Sequence, residues 1–143
     1  MSGPKDFRLV DGTVIDHLPV GTCIEALRLL GLPREGPVTI GMNVPSRRIG
    51  HKDIVRVEGL FLSKGELDRL SLLGPEITVS IVRSGAVTEK IVLHVPERLI
   101  GVLACRNPTC ISHEEAVQSV FVRLAGTPLR LRCLYCERVT EGR

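Results

Sequence analysis

Along the first two thirds of the chain, short β-patterned runs alternate with two stretches of helical spacing. After a flexible start, Phe7, Leu9 and the run Thr13-Val14-Ile15 carry β-forming residues around an Asp11-Gly12 turn. The strand they predict closes at Asp16-His17-Leu18-Pro19. Ile24, Leu27 and Leu30 recur at helical intervals between Gly21 and Gly31, which predicts a helix of about ten residues. Val38 to Asn43 reads as a buried strand, Asn43 to Lys52 as a polar connection, and Asp53 to Glu58 as another strand. Ser63 with Glu66 three residues on has the spacing of a capping box, and Leu67, Leu70, Leu72 and Leu73 continue that helix to Gly74-Pro75. Ile77 to Val82 and Val87 to Leu93 flank a Ser84-Gly85 turn as a hairpin.

The order strand, helix, strand, strand, helix, strand, with one additional hairpin strand, predicts an α+β fold. It is the ferredoxin-like arrangement, an antiparallel sheet with two helices on one face. Pro96 interrupts the pattern, which divides the chain into an expected domain 1–97 and a second, 98–143. In the second, Ala116 to Ala125 alternates as a strand, Gly126-Thr127-Pro128 turns, and Leu129 to Cys133 returns, predicting a small all-β domain.

That small domain has few large apolar residues, and a core of about 45 residues rarely stabilises itself. It does contain Cys105-Arg-Asn-Pro-Thr-Cys110 and, after a spacer of 22 residues, Cys133-Leu-Tyr-Cys136. Two short cysteine pairs, each on its own turn, are the spacing of a tetrahedral cage for one structural Zn²⁺ per chain, with sulfurs about 2.3 Å from the metal. Such an ion supplies on the order of 10 kcal/mol of folding free energy. Two disulfides, or four unrelated buried thiols, are the competing reading. With four cysteines in the cage, His113 is left as a surface or supporting residue. Cys23, the odd one of five, falls in the helical pattern as a buried, inert thiol.

No apolar run reaches membrane-spanning length and no leader pattern opens the chain, so a soluble cytoplasmic protein without membrane contact is expected. The net charge of +3 suits phosphorylated small molecules as well as nucleic acid. A zinc-ribbon nucleic-acid binder is therefore a competing function. Against it stand three Phe, one Tyr and no Trp, too few rings to stack a run of bases, and the lack of a dense basic stripe. An enzyme fits least: four thiolates leave a metal no open position, and no nucleophile sits in a recognisable motif with a base.

Several strings taken together resemble the regulatory chain of aspartate carbamoyltransferase: Gly12-Thr-Val-Ile-Asp-His17, Ile40-Gly-Met-Asn-Val-Pro-Ser46, Lys52-Asp53, Pro96-Glu97-Arg98, Cys105-x4-Cys110-Ile-Ser-His113, and Cys133-x2-Cys136-Glu137. The resemblance runs from about Asp11 to Glu137 in order and spacing. It implies a non-catalytic chain that binds nucleotide effectors (CTP, UTP, ATP) on its first domain and docks onto a separate catalytic chain through its zinc domain. It also implies pairing of two copies through the nucleotide domain, with three pairs bridging two catalytic trimers. Asp16 and His17 then fall on the nucleotide site, Lys90 at ribose and phosphates, and Val87 beside the base or ribose. Arg56 stands where the family commonly has a lysine, Ser80 where asparagine is common, and Gly85 where a tyrosine is found. Asn107 and Glu137 fall on loops that contact the catalytic chain.

Taken without the resemblance, these residues have plainer readings. Asp16-His17 at a strand end would be solvated or bonded locally. Arg56 and Lys90 would pass as surface charges, and Arg47, Arg48, His51 and Lys52 as a wet basic loop. Asn107 would cap the metal turn through a local side-chain bond, and Glu137 would be an exposed charge.

Overall fold

The computed structural model describes residues 9–114 and 116–141, so Phe7 and Arg8 of the expected first strand lie outside the described residues. The chain forms two compact units, one up to Leu93 and one from His94.

In the first unit the elements are β1 (Gly12–Leu18), α1 (Cys23–Leu30), β2 (Val38–Ser46), β3 (Gly50–Glu58), α2 (Lys64–Ser71), β4 (Thr78–Arg83) and β5 (Ala86–Val92). They make a five-stranded sheet of order β2-β3-β1-β4-β5, with every neighbouring pair antiparallel. This is the α+β ferredoxin-like order with β5 added at one edge.

Local chemistry closes α1 and opens α2, while α2 ends at Ser71, short of the expected stop at Gly74-Pro75. Gly31 adopts φ 62°, the left-handed conformation that closes α1, and the Arg34 guanidinium donates to the Leu30 carbonyl at 2.7 and 3.0 Å. At α2, Ser63 Oγ accepts the Glu66 N–H at 3.3 Å and Glu66 Oε1 accepts the Ser63 N–H at 3.0 Å. Glu66 also pairs with Arg34, tying the start of α2 to the end of α1. The apolar faces of the helices cover one side of the sheet. Ala26, Leu30 and Leu70 pack with Ile15, Leu18, Val55, Val57, Ile77 and Val79 in a continuous core.

The stretch Asn43 to Lys52 differs from expectation. Rather than a polar connection it is the close of a β2–β3 hairpin, with Val44, Pro45 and Ser46 paired to Lys52, His51 and Gly50. Its polar composition reflects an edge strand, where Pro45 removes no interior ladder bond.

The second unit is a four-stranded antiparallel sheet: β6 (Arg98–Ile100), β7 (Val120–Arg123), β8 (Arg130–Cys133) and β9 (Val139–Glu141), in sequence order. The strand expected from Ala116 is confined to β7, and β6 and β9 are two strands beyond the expected hairpin. Each has only three residues, too short for an alternating pattern to declare itself. No helix among the described residues is long and apolar enough to cross a membrane.

Candidate functional site

In the second unit the cysteines converge. The sulfurs of Cys105, Cys110, Cys133 and Cys136 all lie within 4.8 Å of one another, and none is in a disulfide. Cys105 Sγ is 3.6 Å from Cys136 Sγ, and Cys110 Sγ is 3.7 Å from Cys133 Sγ. A tetrahedron with metal–sulfur bonds of about 2.3 Å has edges of about 3.8 Å. The four sulfurs therefore fit one tetrahedral metal ion.

The turns that carry the cysteines also prepare their charge. The N–H groups of Asn107, Ser112 and Arg138, each two residues beyond a cysteine, are directed at the sulfurs of Cys105, Cys110 and Cys136. Ser112 Oγ adds a bond to Cys110 Sγ at 3.1 Å, and the Asn107 side chain reaches Cys136. Donors stabilise a thiolate over a thiol. The Arg138 N–H, then the Asn107 side chain, bring the Cys136 thiol down to about 6, and the Ser112 hydroxyl and N–H hold Cys110 below the ordinary thiol value. Cys105 goes the other way, pushed up to about 12 chiefly by burial. His113 is not a ligand: its Nε2–H donates to the Cys105 carbonyl oxygen at 2.8 Å and braces the first turn.

Asn107 is half-buried, and its Oδ1 accepts from Thr109 N–H at 3.1 Å and Thr109 Oγ–H at 2.9 Å. Glu137 is exposed at φ 64°, closing the turn of the second cysteine pair with its N–H on the Cys133 carbonyl at 2.9 Å. Beside the ligands, Ile111, Leu134 and Tyr135 remain exposed.

In the first unit a different surface forms on the sheet face away from the helices. Antiparallel register places Arg56 opposite Val14, Val14 opposite Ser80, and Ser80 opposite Lys90, one transverse row across four strands. Directly opposed residues share a face, and the neighbours Ile15, Val55 and Val79 point into the core. Asp16 and Lys52 belong to the same face and meet at 2.8 Å.

Three bulges decide the remaining positions. In β1 the register slips between Ile15 and Leu18 at His17, whose φ is 59°. Strict alternation would send His17 into the core with Ile15. The extra residue instead leaves Asp16 and His17 both outside and returns Leu18 to full burial. The His17 N–H donates to Asp16 Oδ1 at 2.6 Å, and its Nδ1 lies 3.1 Å from Thr78 Oγ1. In β5 a slip opposite Ile81 and Val82 pairs Val87 with Val82 and Lys90 with Ser80. Val82 and Ser80 share a face, so Val87 joins Lys90 despite their odd separation. The third bulge, in β2, has Asn43 at φ 57°.

Asp53 braces the β2 bulge and the start of α1 from the core side. Its carboxylate is fully buried, with Oδ1 accepting the Asn43 N–H at 2.9 Å and Oδ2 accepting the Gly21 and Cys23 N–H groups at 2.8 and 3.2 Å. Burial alone would raise its pKa, but the N–H groups of Asn43, Cys23 and Gly21, with the Cys23 thiol, hold it below the usual carboxylate value. Cys23 is buried beside it, its thiol pushed up to about 11 by burial and by Asp53. Neither side chain is available for chemistry.

The face has the electrostatics of an anion site with one internal carboxylate. Burial works to raise Asp16, yet the Lys52 ammonium, the His17 N–H and the nearby cations keep it below the usual carboxylate value. Burial lowers His17, Asp16 opposes this, and the charges of Lys52, Arg48 and Lys90 lower it further. Lys52 thus belongs to the face, beside Asp16. The sequence signal for it was the Lys52-Asp53 pair: one residue of it points to each side of the sheet.

Comparison with known proteins divides the chain at the same point. Residues 8–94 match the family described as aspartate carbamoyltransferase regulatory chain, allosteric domain, and residues 97–143 match its metal binding domain. Over 134 residues the chain is 45% identical to the aspartate carbamoyltransferase regulatory chain of Thermococcus gammatolerans, covering 92% of this chain and 89% of the relative. The Pyrococcus furiosus protein of that name is 45% identical over 144 residues, with 99% and 95% covered. That of Methanocaldococcus jannaschii is 40% identical over 131 residues, with 92% and 88% covered.

Proposed function

The chain belongs to the family of aspartate carbamoyltransferase regulatory chains, and from that membership we propose that it works as a non-catalytic allosteric subunit in the cytoplasm. Nucleoside triphosphates such as CTP, UTP or ATP bind the open face of the five-stranded sheet. The second unit, held by one Zn²⁺, docks onto the catalytic chain, and two copies pair through the first unit.

The observation that carries the effector site is the convergence of Asp16, His17, Arg56, Ser80, Val87 and Lys90, with Lys52, on one face through register and bulges. Their chemistry suits a nucleotide. Arg56 and Lys90 supply cations for phosphates, Ser80 between them a hydroxyl for ribose or phosphate, and exposed Val87 an apolar rest for sugar or base. Asp16 accepts from sugar hydroxyls or base amines while Lys52 limits its repulsion of the phosphates.

In the second unit four thiolates with an edge near that of a zinc–sulfur tetrahedron favour Zn²⁺, which when bound cross-links the two cysteine turns. The chain's own contribution is the N–H and hydroxyl donors, which favour the thiolate at Cys110 and Cys136. The turns carry Asn107 and Glu137 with the exposed Ile111, Leu134 and Tyr135, a mixed polar and apolar surface suited to a protein partner. Free thiolates persist in a reducing compartment, which favours the cytoplasm.

The mechanism is linkage. An effector that binds one quaternary state more tightly draws the assembly toward it, and the shift is limited to that difference in affinity. Calorimetric titration of the chain with CTP, ATP and UTP tests the first unit. Titration of isolated catalytic trimers with the chain, with and without a zinc chelator, tests the second by the mass of the complex. Nucleotide-independent behaviour and no larger complex in either titration would overturn the reading.

A further inference from the structure

The basic run Arg47, Arg48, His51, Lys52 reads in the sequence as a solvated loop, yet the structure gives its members different surroundings. Residues 47–49 form the turn between β2 and β3, and Ser46 Oγ accepts the N–H groups of Arg48 and Ile49 at 3.3 Å each, fixing the turn. Arg48 Nε then lies 3.3 Å from Glu76 Oε2, two residues ahead of Thr78 and the start of β4. In the sheet β1 runs between β3 and β4. The Arg48–Glu76 pair therefore spans the end of β1, where Asp16 and His17 sit and where Thr78 meets the His17 ring. The Arg48 charge is close enough to bear on His17, alongside those of Lys52 and Lys90.

We propose that Arg48 is a further phosphate-contacting residue of the effector face, held in reserve by Glu76 and released when a polyphosphate arrives. The proposal rests on the effector reading above. The pair is nearly half exposed on both sides, at 46% and 45% of side-chain surface, so it is a weak tie. A triphosphate carries more charge than a carboxylate, and the planar guanidinium fork bonds two phosphate oxygens at once. Lys52 is less free to move, because it is held on Asp16 at 2.8 Å and is largely buried there. Arg48 thus differs from Lys52 in having a partner that solvent and phosphate can both displace.

The test is calorimetric binding of CTP and CMP, at low salt, to the full zinc-loaded chain and to Arg48→Ala, Glu76→Gln and the double variant. Arg48→Ala should weaken CTP binding about tenfold and CMP binding less than about twofold, since one charged contact is lost. Glu76→Gln should tighten CTP binding about threefold, and this gain should vanish in the double variant. All the side chains changed are half-exposed, so unaltered melting curves establish that the variants are folded. If Arg48→Ala binds CTP as the parent does, or if the Glu76→Gln gain survives without Arg48, the proposal is overturned while the effector reading stands. If the parent chain binds no CTP at millimolar concentration, both fall.

Discussion

The two units reach stability by opposite routes. In the first, residues from β1, β3, β4 and both helices form one continuous hydrocarbon core, and polar groups enter it only when fully bonded, as Asp53 does. In the second, Leu99, Phe121 and Leu131 are the large apolar side chains buried among the described residues, and the rest of the interior is sulfur. A small sheet with three such side chains cannot offset its conformational entropy, so a metal cross-link must. The first unit can therefore expose a charged, bulged face without risk to its core. The second places what stabilises it directly beneath the loops it presents.

That contrast is broken most severely at the metal. Replacing Cys133, fully buried in the cage, by serine, or stripping the metal with a chelator, should remove on the order of 10 kcal/mol from the second unit. Amide NMR should then show the signals of residues 98–141 collapsing while those of the first sheet hold. Simultaneous collapse of both would show that the units are not independent.

A smaller effect is expected in the first unit. Asp53→Ala leaves three N–H groups without their acceptor and should cost about 3 kcal/mol, measured by urea unfolding, without altering metal content. The same group sets an acid limit. Its folded pKa lies below the ordinary value of 3.8, so the unfolded chain binds the proton more readily. Its stabilising contribution is complete above that value and is lost as pH falls through the folded pKa. Asp53→Ala should lack this part of the acid transition.

At the cage, the Ser112 hydroxyl supports a sulfur without binding metal itself. Ser112→Ala should speed release of the metal to a colorimetric chelator about tenfold, with Ser112→Thr restoring it. An unchanged rate would leave the backbone N–H groups as the sufficient donors.

The gentlest probe is proton linkage at His17. Burial and the surrounding cations depress its pKa below 6.5, so it is mostly neutral in the free chain at pH 7. On the proposed effector site, a bound triphosphate would favour the imidazolium, so binding would take up a proton and His17 would favour tighter binding as pH falls. The ratio of CTP affinities, parent over His17→Asn, should rise a few-fold between pH 7.5 and 6. A flat ratio would remove His17 from the phosphate environment.

The sequence made the metal cage legible because its signal is local. Cys105 with Cys110, and Cys133 with Cys136, each lie on one turn, and the geometry of a turn is set by neighbours in the chain. The capping box at Ser63 and Glu66 and the stop at Gly31 were readable for the same reason. The charged face of the first sheet was readable only in part. Arg56, Ser80 and Lys90 come from three strands, and only the pairing of those strands makes them one row. Arg48 had no distinguishing feature in a basic loop, and Lys52 only its place before Asp53, until the hairpin and the strand order placed them at the end of β1. The short strands β6 and β9 escaped notice because three residues cannot display a period.

What the amino-acid order alone determined is carried within a turn or two of backbone: the close of α1, the opening of α2, and two knuckles of paired thiols. By contrast, α2 ends at Ser71 before Gly74-Pro75, and Val38 to Asn43, which reads as buried, is an exposed sheet edge. What the tertiary structure decided is which side of the sheet a residue occupies wherever alternation fails. At His17, Asn43 and Thr88 one added residue shifts the register, and a shift by one exchanges the two faces of a pleated strand. Such a shift is set by hydrogen bonds to other strands and by a buried carboxylate from elsewhere in the chain. No local pattern contains it.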